Sequence, residues 1–169
     1  AEGFVGINLK KEDNAEFVCD CSDLSEIIVI RKDGKYLVTK VSEKAFFGKD
    51  ILYVGLFDRN DQRTTYNVIY REGKTSISYA KRFNVTSVTR DKEYDITQGT
   101  PGSVILWFTV NHNAEAETVK IYYRQRPKLK KLIDEYDFSQ LLIKGRASRG
   151  NLVSKNSIQK ILLKSKGIS

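Results

Sequence analysis

The chain is poor in several residue types that mark particular protein classes. Its 169 residues include two cysteines, Cys19 and Cys21, too few and too close together for the disulfide framework of a small secreted protein. These two thiols have no further ligands nearby in the sequence, so we expect no metal site. The single histidine, His112, lies in a loop-like stretch and makes a poor candidate for a general base. No apolar run approaches the roughly 20 residues that a membrane-spanning helix needs.

Methionine is absent altogether, and the first residues show no secretory signal pattern. We therefore expect a piece of a longer, cytoplasmic protein that does not contact a membrane. Alanine is also scarce, with seven residues, whereas Val, Ile, Thr and the aromatic residues make up 56 of the 169 positions. These residue types favour strands, and the composition predicts an all-β chain.

Positive charge is concentrated at one end of the sequence. The net charge of the whole chain is +8, but residues 1–123 carry a net charge of −1 and residues 124–169 carry +9. A localised basic segment of this kind indicates a surface that binds an anionic partner.

Strand patterns recur between turn residues, with an apolar, β-branched or aromatic residue at every second position. Asp33-Gly34 and Glu72-Gly73 lie between such runs and predict tight hairpin turns. The predicted strands are FVGINL (4–9), EFVCD (16–20), EIIVIR (26–31), KYLVTKV (35–41), DILYVGLF (50–57), TYNVIYR (65–71), KTSISYAKRF (74–83), SVILWFTV (103–110) and ETVKIYYR (117–124).

The hairpins resemble one another, which predicts a repeat architecture. Each unit has a strand, a tight turn, a basic strand, a glycine-containing loop and a final apolar strand. Repeats of about 40–50 residues with four strands each suggest propeller-like blades, because one small sheet cannot bury both of its faces alone. We assign a single domain fragment of about three four-stranded antiparallel blades, at residues 4–57, 58–110 and 111–164.

At the segments RKDGKYLVTKV, YAKRFNVT, TRDKEYDITQGTPGS and IKGRASRGNLVSKN the chain resembles the C-terminal domain of the A subunit of bacterial type IIA topoisomerases, that is, DNA gyrase and topoisomerase IV. It looks most similar to the topoisomerase IV-like A subunit of the Bacteroidetes group. The resemblance implies a β-pinwheel, a disc of four-stranded blades that exchange strands with their neighbours, of which this chain is a partial disc. It also implies that duplex DNA bends around a basic rim.

The resemblance further implies a non-catalytic role within an ATP-hydrolysing enzyme. The partners would be duplex DNA, the remainder of the A subunit, and the B subunit, which is the ATPase. The location would be the cytoplasm, near the nucleoid. The domain itself would need no cofactor, because ATP and magnesium serve the full enzyme. The catalytic tyrosine and the metal site belong to other domains, so no catalytic residue is assigned here.

The gyrase form of this domain carries a seven-residue box of Gln, Arg, Arg, Gly, Gly, Arg and Gly. The nearest match is KGRASRG (144–150), in which Arg146, Arg149 and Gly150 occupy matching places and the other four positions depart from the box. A degenerate box is typical of topoisomerase IV-type domains. This implies modulation of DNA geometry rather than the tight chiral wrapping of gyrase.

Basic residues in this loop and in its surroundings are the candidate DNA contacts. Arginine and lysine side chains beside glycines can reach phosphate oxygens, which positions DNA without reading its sequence. If KLKKL is a strand, Lys128 and Lys130 lie on one face. The candidate residues are Lys128, Lys130, Lys131, Lys144, Arg146, Arg149 and Lys155, with Lys40, Lys81 and Arg82 at comparable places in the earlier blades.

Two other interpretations remain open from the residues. A propeller-like module could present its basic face to an acidic protein partner. Exposed tyrosines could stack on single-stranded bases, although their alternation within apolar strands favours packing in the blade core. The tyrosines concerned are Tyr66, Tyr70, Tyr79, Tyr122 and Tyr123, and Trp107 is likewise assigned to the core.

Overall fold

The structure is a computed structural model that describes residues 4–5, 25–41, 45–46 and 50–166. The predicted strand at 16–20, residues 6–9 of the one at 4–9 and both cysteines lie outside these residues. The described residues form β-strands and a single turn of 3₁₀ helix, so the all-β expectation is confirmed. Within these residues we find no helix with the length and hydropathy that a membrane span requires.

Fourteen strands are present in the described part of the chain. Their bounds are β1 (Phe4–Val5), β2 (Glu26–Arg31), β3 (Lys35–Lys40), β4 (Ala45–Phe46), β5 (Ile51–Phe57), β6 (Thr65–Arg71), β7 (Ser78–Phe83), β8 (Tyr94–Asp95), β9 (Val104–Asn111), β10 (Thr118–Tyr123), β11 (Ile133–Asp137), β12 (Ile143–Lys144), β13 (Asn151–Ser154) and β14 (Ile158–Ser165), and the 3₁₀ turn is Phe138–Gln140.

The chain divides into two compact units. Unit 1 combines the described residues up to Asn60 with Thr86–Ile96, and unit 2 combines Asp61–Val85 with the described residues from Thr97 onward. Unit 1 contains a four-stranded sheet in the order β5-β2-β3-β8 and the pair β1-β4. Unit 2 contains a sheet in which β9, β6 and β7 follow one another and β7 also pairs with β12 and β13, and a three-stranded sheet in the order β11-β10-β14.

Three short strands, β8, β12 and β13, join the sheet of an earlier hairpin rather than that of the hairpin directly before them. β8 follows β7 in the sequence but pairs with β3, with Tyr94 opposite Tyr36. β12 and β13 follow β11 but pair with β7. Each main sheet is thus built from a hairpin and a later antiparallel strand, and β3 and β7 gain an edge partner from the segment that follows the next hairpin. This is the strand exchange that the resemblance implies.

Two turn predictions have different outcomes. Gly34 has φ 89° and closes the β2–β3 hairpin through a hydrogen bond from its N–H to the Arg31 carbonyl (3.0 Å), so the tight turn at Asp33-Gly34 is confirmed. The tight turn at Glu72-Gly73 is wrong, because β7 begins only at Ser78. There the Glu72 carboxylate accepts hydrogen bonds from the Thr75 backbone (2.7 Å) and hydroxyl (2.6 Å), which stabilises a longer connection.

Unit 1 has a small apolar cluster of Ile27, Val29 and Val41, against which Ile51 and Val54 pack.

A cluster of ion pairs links β2 to the segments that carry Arg59 and Arg90. Its acidic residue is Glu26, whose carboxylate accepts hydrogen bonds from Arg59 (2.7 and 3.0 Å) and Arg90 (3.0 Å). These arginines hold the pKa of Glu26 below its usual value, with the hydrogen bond from Arg59 as the largest cause.

The core of unit 2 lies between its two sheets. Ile69 and Ala80 from one sheet pack with Val119, Ile121 and Phe138 from the other sheet and its connections. The predicted core tyrosines are confirmed, since Tyr66, Tyr70, Tyr79 and Tyr123 are buried and Tyr122 is half-buried. Trp107 packs against this core, as predicted.

Candidate nucleic-acid interface

The segment KGRASRG forms a loop at the edge of β7. β12 runs parallel to β7, with Ile143 beside Arg82 and Lys144 beside Phe83. β13 runs antiparallel to β7, with Asn151 beside Ala80. Residues 145–150, which we call the basic loop, connect these two strands and pass Lys81, the β7 residue that lies between the two pairings.

Side chains from the underlying sheet bind the backbone of the basic loop. The Lys81 ammonium donates hydrogen bonds to the carbonyl oxygens of Arg146 (2.7 Å) and Ser148 (2.8 Å). The Tyr70 hydroxyl donates one to the carbonyl oxygen of Arg149 (2.6 Å). Within the loop, the Ser148 N–H donates to the Gly145 carbonyl (3.1 Å). Three loop carbonyls therefore point toward the sheet, and the loop has a defined backbone conformation.

Gly150 allows the loop to return close to β7. Its φ is 94°, and a Cβ atom there would lie 2.5 Å from the Ala80 carbonyl oxygen. Next to it, the Arg149 guanidinium lies 5.3 Å from the centre of the Tyr79 ring, a cation–π contact. Lys144 and Arg149 are exposed and Arg146 is half-buried. The structure thus brings these three predicted residues together at the end of β12 and in the basic loop, with Lys144 and Arg149 accessible to an anion.

Lys81 does not belong to the exposed basic surface, contrary to the sequence prediction. It is 2% exposed, and its ammonium donates to the two loop carbonyls while lying 4.9 Å from the centre of the Phe83 ring. Burial lowers the pKa of Lys81 to about 8. The correct assignment is a buried residue that binds the loop from below, because a buried ammonium needs internal hydrogen-bond acceptors.

Arg82 is also internal, and its assignment to the exposed rim is wrong. Its guanidinium donates to the side chain of Asn67 (2.9 Å) and to the carbonyl oxygens of Ala114 (2.8 Å) and Glu115 (3.1 Å). Burial lowers the pKa of Arg82, and the carboxylate of Glu117 opposes that shift. Arg82 therefore stabilises the connection between β9 and β10.

A buried carboxylate extends this polar cluster. Glu117 is 4% exposed and accepts hydrogen bonds from Asn67 (2.8 Å), from the Trp107 indole (3.0 Å) and from the Thr109 hydroxyl (2.7 Å). Its oxygens are occupied by these internal donors, so the cluster has a structural role.

The second basic cluster lies in the β10–β11 connection and is not a strand. Pro127 and Lys128, with φ 71°, occupy the middle of a tight turn closed by a hydrogen bond from the Leu129 N–H to the Arg126 carbonyl (3.1 Å). The strand assumed for KLKKL is therefore wrong, because β11 begins only at Ile133. Proline followed by a residue of positive φ is the signature of a type II turn.

The lysines of this connection differ in their surroundings. Lys128 and Lys130 are exposed. Lys131 forms an ion pair with Asp134 (3.2 Å), which offsets part of its charge. Lys155 is exposed in the β13–β14 turn.

The structure also points to basic residues that the sequence reasoning missed. Arg124 and Arg126 are exposed, and the Arg124 N–H donates to the Ser157 carbonyl (2.9 Å), which joins the β10–β11 connection to the β13–β14 turn that carries Lys155. The available signal was the charge count, since residues 124–169 carry a net charge of +9 and include both arginines. Lys40 is exposed at the end of β3 in unit 1.

No alternative chemistry is apparent among the described residues. They contain no group of three or more His, Cys, Asp and Glu side chains that could hold a metal ion. His112 is exposed, and its Nδ1 lies 3.3 Å from the Thr64 hydroxyl. The candidate functional site consists of the basic loop, the β10–β11 connection and the β13–β14 turn.

Comparison with known proteins identifies the family of the chain. The model of the family described as "Topoisomerase C-terminal domain, Bacteroidota" matches residues 1–166. The chain belongs to this family. The predicted resemblance to topoisomerase C-terminal domains is confirmed.

This topoisomerase C-terminal domain has a curated relative in the A subunit of DNA topoisomerase 4 from Borreliella burgdorferi. The two are 25% identical over 165 residues, which cover 97% of this chain and 24% of the relative, so the chain spans about a quarter of the relative's length. Among solved structures, the domain is similar to the crystal structure of the C-terminal domain of DNA topoisomerase IV, with a TM-score of 0.50 and 12% identity over 85% of this chain and 47% of the other. This second likeness supports the β-pinwheel fold.

Proposed function

We propose that this domain binds duplex DNA through phosphate contacts made by the basic loop and the neighbouring basic turns. The observation that carries the proposal is the construction of the basic loop and of the end of β12 before it: Lys144 and Arg149 are exposed, while the loop carbonyls are bound by the sheet beneath. Phosphate oxygens accept hydrogen bonds, so a surface with outward guanidinium and ammonium groups and inward carbonyls suits them.

The charge distribution of unit 2 supports the same partner. Residues 138–169 contain seven Lys and Arg and no Asp or Glu, and of these Lys164 pairs with Glu135 of β11 (2.8 Å). Such a surface attracts a polyanion along its backbone, and the affinity would depend steeply on salt. Phosphate contacts of this kind give little discrimination among base sequences.

Duplex DNA is favoured over single strands. Stacking on unpaired bases needs exposed aromatic faces. Tyr66, Tyr70, Tyr79 and Tyr123 are buried, and the ring of the half-buried Tyr122 is approached by the Lys160 ammonium (4.8 Å from its centre), so these rings offer little exposed face.

By extension from the family, we propose that the domain serves the A subunit of a type IIA topoisomerase, working with the ATPase, its B subunit, near the nucleoid. ATP and magnesium would be used elsewhere in that enzyme. By holding and bending a flanking duplex, the domain would help to present DNA crossings for strand passage. Bending a short site costs about 1–6 kcal/mol, which several charge-assisted contacts can offset.

The test is a titration of a short fluorescent duplex against the domain at several salt concentrations, followed by anisotropy. We expect the logarithm of the affinity to fall linearly with the logarithm of the salt concentration. Lys144→Ala, Arg146→Ala and Arg149→Ala should each reduce the slope by about 0.9, the value for one lost phosphate contact.

Lys164→Ala is the matched control. It removes the same charge, but from a residue of β14 that is already paired with Glu135 (2.8 Å). Its slope should equal that of the wild type. Absence of binding at low salt would contradict the proposal, and saturable binding of an acidic polypeptide without DNA binding would favour a protein partner.

A further inference from the structure

Lys81 occupies a special place beneath the basic loop. On the edge of β7, Ser78–Ala80 pair with β13 and Arg82–Phe83 pair with β12, and the loop that connects these two strands arches past the residue in between. The Lys81 side chain reaches two carbonyls of that loop, 65 and 67 residues later in the sequence. One buried ammonium therefore fixes both ends of the segment Arg146–Ser148.

The hydrogen bonds between Lys81 and the loop carbonyls stabilise both the buried ammonium and the loop. A buried ammonium carries a large desolvation penalty unless polar groups replace its water. The two carbonyls supply that replacement, and hydrogen bonds from a charged donor are stronger than those between neutral groups. For the loop, the same bonds remove much of the conformational freedom that a surface segment with glycines at both ends would otherwise retain.

We propose that Lys81 is a positioning residue, which pre-organises the basic loop for phosphate contact without touching DNA itself. The inference rests on the proposed function for its consequence in binding, whereas its structural part concerns the free protein. Because Lys81 is 2% exposed and its ammonium donates to two loop carbonyls, it offers almost no surface to a phosphate while the loop is in place. Its effect must therefore pass through Arg146 and Arg149.

Arg82 provides a matched control. It is the next residue of the same strand, it is also buried and positively charged, and its guanidinium binds the carbonyls of Ala114 and Glu115 rather than those of the basic loop. Lys81→Met and Arg82→Met each remove one buried charge and keep an apolar stem. A general loss of stability or of charge would affect DNA binding similarly in both variants, whereas a positioning role would affect Lys81→Met more.

The first measurement is amide hydrogen exchange in the free protein, which needs no DNA. Lys81→Met should accelerate exchange in peptides that cover residues 145–151 and leave peptides from β6 and β9 close to wild type. Arg82→Met should not accelerate exchange in residues 145–151. Unchanged exchange there in Lys81→Met would overturn the inference, whatever the fate of the proposed function.

The second measurement is the salt titration of duplex binding. Lys81→Met should weaken binding roughly three- to tenfold, because the loop must then be ordered on binding, with the salt slope of the wild type. Arg149→Ala should lower the slope by about 0.9. A slope lowered to the same extent in Lys81→Met would indicate a direct contact and overturn the positioning role. If the wild type binds no duplex, the proposed function fails and the exchange result still decides whether Lys81 fixes the loop.

Tyr70→Phe keeps the test decisive if Lys81→Met does not fold. This substitution removes only the hydroxyl that binds the Arg149 carbonyl (2.6 Å) and keeps the buried ring. We expect faster exchange confined to the C-terminal half of the loop and a smaller loss of DNA affinity, again at constant salt slope. Wild-type exchange in that half would contradict anchoring of the loop by the sheet.

Discussion

Gly145 and Gly150 bracket the basic loop but differ in the room that each leaves for a side chain. A Cβ atom at Gly145 would have no neighbour within 4 Å. One at Gly150 would lie 2.5 Å from the Ala80 carbonyl oxygen and 3.0 Å from the Lys81 Cβ, and the backbone there has φ 94°. Alanine should therefore be tolerated at the first position and harmful at the second.

The magnitude follows from two costs. Forcing an L-residue into a positive-φ conformation costs about 1–2 kcal/mol. Relieving the contact with Ala80 requires β13 to move away from β7, at the expense of roughly one hydrogen bond, or about 1 kcal/mol. Gly150→Ala should thus lower the free energy of unfolding by about 2–3 kcal/mol, which for a protein of this size lowers Tm by roughly 4–12 °C.

The assay is thermal or urea unfolding followed by circular dichroism, with Gly145→Ala as the control. That variant should have an unchanged or slightly raised Tm, since alanine reduces the freedom of the unfolded chain. Equal midpoints for the two variants would refute the reasoning, because the packing of the loop against β7 would then not limit the choice of residue at position 150.

Three further predictions concern buried or paired charges. Glu117→Gln places an amide N–H₂ group among the donors of the cluster, so we expect a loss of about 1–3 kcal/mol of stability and a red shift of Trp107 fluorescence. Glu26→Gln should destabilise unit 1 by roughly 1–2 kcal/mol at neutral pH. This loss should vanish in acid, because the stabilisation is present above the unfolded pKa of Glu26 near 4.5 and disappears as the pH falls through its lower folded pKa. The pKa of Lys81 is about 8 in the folded protein and 10.5 in the unfolded chain, so between these pH values the unfolded chain binds more protons. The free energy of unfolding of the wild type should therefore rise with pH over this range, relative to that of Lys81→Met.

Each of these predictions has its own contradicting result. Unchanged stability together with unchanged Trp107 emission in Glu117→Gln would contradict the structural role of the Glu117 carboxylate. A difference between Glu26→Gln and wild type that persists in acid would show that the ion pairs are not its source. A flat difference between wild type and Lys81→Met from pH 8 to 10.5 would show that Lys81 titrates at its ordinary pKa, near 10.5.

Local patterns were sufficient to predict most of the main strands. EIIVIR was predicted as a strand and is β2, because a run of four β-branched residues followed by Asp33-Gly34 defines both the strand and its turn. The strand at 74–83 was predicted too early, because Glu72 binds the backbone ahead of β7 and favours a longer connection. The strand assumed for KLKKL was wrong because Pro127 and the positive φ of Lys128 make a turn there.

The site was harder to predict than the fold. The clustering of Lys144, Arg146 and Arg149 is local in sequence and was accessible to pattern reasoning. The burial of Lys81 and Arg82 was not, because their acceptors lie in distant connections: the loop carbonyl of Arg146 is 65 residues from Lys81, and that of Ala114 is 32 residues from Arg82. In a single sequence, a lysine in a strand looks exposed unless its partners are known.

The pairing of β12 and β13 with β7 has a consequence for how the chain folds. Until the segment 143–154 has been synthesised and has docked, the hairpin β6–β7 leaves a row of unpaired backbone groups along one edge, and such edges can pair with other chains. Pairings this distant in sequence also form slowly. The segment that carries the candidate DNA contacts therefore also protects the edge of β7 from pairing with other chains. A substitution that prevents this segment from docking should increase aggregation as well as weaken DNA binding.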